Sequence, residues 1–185
     1  MLYIIKCMPA RDHITAEIEK QIPWLVKVYD QEKSSIHTQY LTFLEAKGRD
    51  AIYLEDDIEL CNNFMERAEK AIEELGRDKI INFFSMRGKD IEVGTRLEPA
   101  RSFLMTQAVY IPWSVSLWCA EMFSSWQYAV LNPNTKDCDV YIREYMIQNK
   151  LNYRIYVPNL VNHRQTVSMI DSRRSKFRQS KTFTS

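Results

Sequence analysis

Over its first 84 residues the chain alternates between two hydrophobic periods, and that alternation narrows the possible folds more than any other feature of it. Unbroken β-prone runs stand at residues 2–6, 24–29, 50–54 and 79–84. Between them, apolar residues recur at helical spacing: Ile14, Ile18 and Ile22, then Ile36, Tyr40, Phe43 and Leu44, then Phe64, Ala68, Ala71, Ile72 and Leu75. The punctuation agrees. Pro9 marks a turn, Asp12 is placed to cap the first helix, Ser34 or Ser35 the second, and Gly48 and Gly76 stand where helices stop. A strand–helix–strand rhythm of this kind implies a sheet of mostly parallel strands joined by right-handed crossovers. The expected fold class is therefore α/β, a single Rossmann-like domain with a mostly parallel central sheet flanked by helices. Ligands of such sheets bind beyond the carboxyl ends of the strands. Arg11, Asp30 and the acidic triplet Glu55-Asp56-Asp57 all fall at that edge.

The second half is less regular. Residues 85–101 are polar, contain Gly88 and Gly94, and read as a long surface loop. A strand is expected within 103–112, an aromatic helix over 113–127, a turn at Asn132-Pro133-Asn134, a helix over 139–149 and a last strand over 152–157. The aromatic stripe from Trp113 to Trp126 reads as core. From Ser172 the chain carries Arg173, Arg174, Lys176, Arg178 and Lys181 with no acid, which divides it into a domain over 1–171 and a basic tail over 172–185. A length of 185 residues, 45% of them hydrophobic, suits one domain with a proper core. The net charge of +1 rules out a global field for a polyanion, so nucleic-acid binding would need a local patch. Cys7, Cys61, Cys119 and Cys138 lack metal-site spacing and read as reduced thiols of a cytoplasmic protein. No apolar run approaches the roughly 18 residues of a membrane span, and a monomer is expected.

The triplet sits inside an apolar run, after Ala51-Ile52-Tyr53-Leu54 and before Ile58. Three acids at the end of a buried strand repel one another and are costly to desolvate. A divalent cation is the cheapest partner for such a cluster, because hard oxygen ligands suit it. On a strand, Glu55 and Asp57 would point one way and Asp56 the other. The competing reading is a solvated acidic turn. His163 follows an apolar strand-like run and could complete a carboxylate-rich metal site with a neutral imidazole, although a lone histidine is more often structural.

Four segments, in order and spread over residues 1 to about 178, resemble the GT-A class of glycosyltransferases, and within it the small phage-encoded members. Leu54-Glu55-Asp56-Asp57-Ile58 is similar to their acidic motif. Thr106-Gln107-Ala108-Val109-Tyr110-Ile111-Pro112 resembles a strand of theirs, Asp137-Cys138-Asp139 their acidic helix start, and Pro158-Asn159-Leu160-Val161-Asn162-His163 their metal-ligand segment with a following serine, Ser168. Cys7-Met8-Pro9-Ala10-Arg11 departs from their usual N-terminal form, and Asn159 stands where they have serine. The resemblance implies a GT-A-like domain and a metal-dependent transfer of sugar from a nucleotide-sugar donor, here a UDP-sugar, with Mn²⁺ or Mg²⁺. It implies Asp57 and His163 as metal ligands, Glu55 or Asp56 on the ribose or a metal-bound water, Arg11 and Asp30 on the nucleotide, and Ser168 near the diphosphate.

An inverting transfer needs a base for the acceptor hydroxyl, and Asp139, or failing it Asp137, is the candidate. Both acids also suit a plain helix N-terminus. The basic tail, Arg174 included, fits the donor diphosphate or a phosphate backbone, or is a solvated terminus. With Arg87, Lys89, Arg96 and Arg101 of the loop, it points to duplex DNA as a partner and to a hydroxymethylated pyrimidine of phage DNA as acceptor, in the cytoplasm of the host cell. A surface saccharide or a protein are the alternative acceptors, and a metal-dependent nuclease or phosphatase the alternative chemistry.

Overall fold

A computed structural model describes residues 1–104, 106–124, 139–164 and 178–185 of the chain. Nine strands and five helices follow in the described residues. They are β1 (Leu2–Cys7), α1 (Asp12–Gln21), β2 (Val26–Tyr29), α2 (Ser35–Ala46), β3 (Ala51–Glu55), β4 (Ile58–Leu60), α3 (Phe64–Leu75), β5 (Ile81–Asn82), β6 (Gly94–Pro99), β7 (Ala108–Ile111), α4 (Trp113–Ser124), α5 (Asp139–Gln148), β8 (Asn152–Val157) and β9 (Val161–His163). Seven strands form one sheet in the order β2-β1-β3-β7-β5-β8-β6, and β4 pairs with β9 in a small second sheet.

The α/β class and the first-half rhythm expected from the sequence are present. β1, β2, β3, β5 and β8 run in one direction; β6 and β7 run against them. The sheet is thus mixed. β7 enters between β3 and β5 and is antiparallel to both. Strand spacing along the chain cannot reveal such an insertion, because β7 is apolar throughout, as a buried central strand of either sense must be.

The path through β2-β1-β3 explains the helix layers. From β1 the chain crosses outward through α1 to β2, then returns over β1 through α2 to β3. Right-handed crossovers in opposite directions place their helices on opposite faces. Two cores follow. Ile18 and Ile22 join Phe64, Ala68 and Ile72 of α3 against Tyr3, Ile5, Ile52 and Leu54 on one face. Phe43 and Ala46 join Val115, Cys119, Tyr141, Ile142 and Met146 against Ile4, Tyr53, Val109 and Tyr153 on the other. Across the second core the Tyr53 hydroxyl and Ser116 Oγ bond at 2.8 Å, and Trp118 meets Tyr145 edge-on at 5.2 Å between ring centres.

Local chemistry accounts for most helix ends. Ser34 accepts from the His37 amide and caps α2. Gly76 closes α3 at φ +99°, where an added Cβ would lie 2.8 Å from Asp78 Oδ1. Asp12, expected to cap α1, is instead its first residue and makes no cap bond. Its Oδ1 accepts from Lys27 Nζ and the Tyr29 hydroxyl, each at 2.8 Å, which ties α1 to β2.

The expected loop over 85–101 contains β6, an edge strand against β8. The buried Glu98 organises it, accepting from Lys89 Nζ at 2.6 Å, Arg87 Nη1 and Ser102 Oγ at 3.2 Å, and Arg96 Nε at 3.3 Å. Asp90 takes Arg96 Nη1 at 3.2 Å. Three of the four cations expected to face DNA are therefore paired within their own segment.

Candidate functional site

β1 and β3 are neighbours whose outgoing connections diverge, β1 toward β2 and β3 toward the other side of the sheet. A crevice opens at such a point, beyond the carboxyl ends. Two turns meet there. The turn after β1, Met8 to Arg11, is a single 3₁₀ turn started by Pro9. The turn after β3 carries Asp56 and Asp57.

Asp56 is gripped by the first turn. Its Oδ2 accepts from the Met8 amide and its Oδ1 from Arg11 Nη1, both at 2.7 Å. The same Nη1 lies 3.4 Å from Asp57 Oδ2. Asp57 Oδ2 also lies 3.2 Å from His163 Nε2. Glu55, the last residue of β3, turns the other way: its Oε1 accepts from Thr106 Oγ1 at 2.8 Å and from Lys6 Nζ at 3.3 Å, and its Oε2 from Gln107 Nε2 at 3.3 Å. The alternation expected of a strand end is thus not what separates the three acids. The strand stops at Glu55, and Asp56 and Asp57 are turn residues that share Arg11.

β4 and β9 join Asp57 to His163. Ile58 pairs with His163 and Leu60 with Val161. The Arg164 amide donates to the Asp57 carbonyl at 2.7 Å, and Arg164 Nε to the Ile58 carbonyl at 2.9 Å. Ile58, Leu60, Leu160 and Val161 are buried, so the small sheet is anchored from below while His163 closes the site.

Burial pushes the Asp57 carboxyl upward, but the His163 imidazole and the Arg11 guanidinium more than offset it and hold it below the ordinary value. Burial likewise opposes a charged His163, and the Asp57 hydrogen bond and charge, with Glu55 beyond, raise it above the ordinary value. Asp56 is raised by burial despite its two donors. Two buried atoms of the pair, Asp57 Oδ1 and His163 Nδ1, have no hydrogen-bond partner among the described residues, and Gln107 Oε1 beside Glu55 has none either. Buried polar atoms are rarely left so.

Among the described residues no three of His, Cys, Asp and Glu group closely enough to hold a metal by themselves. Asp57 and His163 supply one hard oxygen and one borderline nitrogen donor side by side, a set that suits Mn²⁺ or Mg²⁺ completed by other oxygen ligands.

The other expected site residues divide. Arg11 is at the site and buried. Asp30 lies at the same edge, its amide on the Cys7 carbonyl at 2.8 Å and its Oδ1 on the Ser34 amide at 2.9 Å, so it shapes the turn into α2. Asp139 is the first residue of α5. The far end of that helix meets the start of β8 through the Leu151 amide on the Met146 carbonyl at 2.8 Å. Asp137, Ser168 and Arg174 lie outside the described residues, as do Trp126, Cys138 and Asn132-Pro133-Asn134.

Lys6, Thr106 and Asn159 were not singled out in the sequence as site residues. Alternation along β1 and the polar pair before β7 were the available signals for the first two. Asn159, at the place where the resembling proteins carry serine, is fully buried and bonds three separate segments. No protein-family model and no curated protein matches the chain. No helix of the described residues is long and apolar enough to cross a membrane.

Proposed function

We propose that this protein is a metal-dependent glycosyltransferase of GT-A type that moves a sugar from a nucleotide-sugar donor. The observation that carries the proposal is the Asp57–His163 pair, 3.2 Å apart at the divergence of β1 and β3, with a buried polar atom on each side chain that has no partner among the described residues. A divalent ion at Asp57 and His163 would supply charge neutralisation for the departing nucleoside diphosphate. Arg11 fixes both turn carboxylates, so that Asp57 needs little reorganisation to bind. Glu55, held by Thr106, Gln107 and Lys6, presents a fixed acceptor toward the ribose or a bound water. Asp139 at the start of α5 takes the proton of the acceptor hydroxyl, a helix N-terminus favouring its ionised form.

The acceptor proposed is a hydroxymethylated pyrimidine in DNA, which would have to be flipped out of the duplex to reach the site. With Arg87, Lys89 and Arg96 engaged by Glu98 and Asp90, support for it comes from the basic C-terminal segment.

Thermal-shift screening of UDP-, GDP-, ADP- and CDP-sugars with and without Mn²⁺ tests the donor class. A ligand at 100 times its dissociation constant adds about 2.7 kcal/mol. The expected outcome is a shift that needs both nucleotide sugar and Mn²⁺ and disappears in His163→Ala. Absence of any metal-dependent shift would count against the proposal.

A further inference from the structure

Residues 180–183 clasp the segment that leads into β9, and the joint is Asn159, fully buried. Its Oδ1 accepts from the Ser85 amide and from Ser180 Oγ, both at 2.8 Å, and its Nδ2 donates to the Tyr156 carbonyl at 2.8 Å. Its own amide donates to Thr182 Oγ1 at 3.1 Å. Ser180 Oγ accepts in turn from the Thr182 and Phe183 amides, both at 3.1 Å, and the Phe183 ring packs on the core. Lys181 Nζ stands 3.4 Å from the place a Cβ on Gly88 would take. This part of the basic tail is docked, since a solvated segment does not make so many bonds to buried groups.

One of the clasp's bonds falls next to His163. Asn162 Oδ1 accepts from the Ser180 amide at 3.0 Å. Alternation along β9 turns Asn162 away from Val161 and His163, and burial agrees: Val161 and His163 are buried, Asn162 half-buried. The clasp therefore grips the outer face of β9, while the inner face holds His163 Nε2 3.2 Å from Asp57 Oδ2. Other supports of β9 are few. It is three residues long, and its one ladder neighbour among the described residues is β4, also three residues. A two-stranded pair is marginal by itself. The residue before β9, Leu160, donates to the Phe83 carbonyl at 3.0 Å and accepts from the Cys61 amide at 2.9 Å. β9 is thus held at its entry and along one edge, and the clasp fixes it from outside. The groups behind a metal ligand set its orientation, and losing one costs roughly 10–100-fold in metal affinity.

We infer that Ser180 and Asn162 are positioning residues of the metal centre: the clasp of residues 180–183 on Asn159 and Asn162 holds β9 where His163 can share a divalent ion with Asp57. This role rests on the metal-dependent reading of the site and adds to it the part of the chain that sets its geometry. Such coupling is reciprocal: whatever docking of the clasp adds to metal affinity, bound metal returns as tighter docking.

Calorimetric titration of the full chain with Mn²⁺ alone, at a temperature where circular dichroism shows each variant folded, measures one side of the coupling. Asn162→Ala and Ser180→Ala are expected to bind Mn²⁺ about tenfold more weakly than wild type, or worse, and Ser180→Thr, which keeps the hydroxyl, to recover most of the loss. Hydrogen exchange of the Ser180, Thr182 and Phe183 amides measures the other side. Saturating Mn²⁺ is expected to slow it by about the same factor in the wild type and not at all in Asp57→Ala. A clasp that only stabilises the fold would lower the melting temperature of the variants and leave both readouts unmoved. Folded variants that bind Mn²⁺ as the wild type does, or wild-type exchange indifferent to bound Mn²⁺, would overturn this role alone; where a variant fails to fold, wild-type exchange decides by itself. Failure of the wild-type chain to bind Mn²⁺ would overturn the proposed function and this role with it.

Discussion

At the scale of single residues, two carboxylates, Asp57 and the buried Glu98, do different work. Asp57 keeps one oxygen without a partner among the described residues, while Glu98 spends both of its oxygens on cations. Glu98 should accordingly behave as a structural acid. Burial pushes its pKa up, and Lys89, Ser102 and Arg87 more than reverse that, leaving it below the ordinary 4.5. A lowered folded value means the unfolded chain binds the proton more readily, so the contribution is present above about pH 4.5 and fades as pH falls through the folded value. Glu98→Gln is expected to cost about 1–3 kcal/mol at pH 7, and much less at pH 3. Urea unfolding at the two pH values checks this; an equal loss at both would contradict the assignment. The triplet itself was legible in the sequence as a cation-seeking cluster. How its members divide was not, because that depends on where β3 stops and on an arginine delivered by a different turn.

Elements show why part of the site was hidden. β4 and β9 are three residues each, too short for a period to stand out, yet their ladder alone aligns Ile58 with His163. The pairing of Asp57 with His163 reached the sequence reading through resemblance and chemistry, not through pattern. β6 was hidden for another reason: all its residues but Glu98 are exposed, it begins at Gly94 and ends at Pro99, and Leu97 is its one large apolar residue, so no apolar alternation marks it and it reads as loop. The joint between β8 and β9 gives a second test. Asn159→Ala removes three side-chain bonds and strands the buried Ser85 amide. A loss of about 2–4 kcal/mol is expected, since an unsatisfied buried group costs about 1–3 kcal/mol beyond the bonds themselves. Asn159→Ser cannot span both partners and should recover little. Chemical denaturation measures both, and a neutral Asn159→Ala would show that the clasp carries no weight.

On the scale of the whole molecule, direction and class were readable and order was not. The alternation over the first three strands led directly to β1, β2 and β3 running parallel, with helices on both faces. The insertion of β7 between β3 and β5 was not readable, because a fully apolar strand has no preferred neighbour. What the whole arrangement achieves is the meeting of distant segments at one crevice: Arg11 from the turn after β1, Asp57 from the turn after β3, Thr106 and Gln107 before β7, and His163 from β9. The central claim is that this crevice uses a divalent ion at Asp57 and His163 to activate a nucleotide sugar. The measurement that bears on it most directly is the rate at which the protein releases nucleoside diphosphate from a panel of nucleotide sugars in Mn²⁺, in chelator, and in the Asp57→Ala variant. The account predicts release in Mn²⁺ that falls at least about a hundredfold, close to 3 kcal/mol of barrier, both in chelator and in Asp57→Ala, with the variant still folded. Full activity of Asp57→Ala, or undiminished activity in chelator, would contradict it.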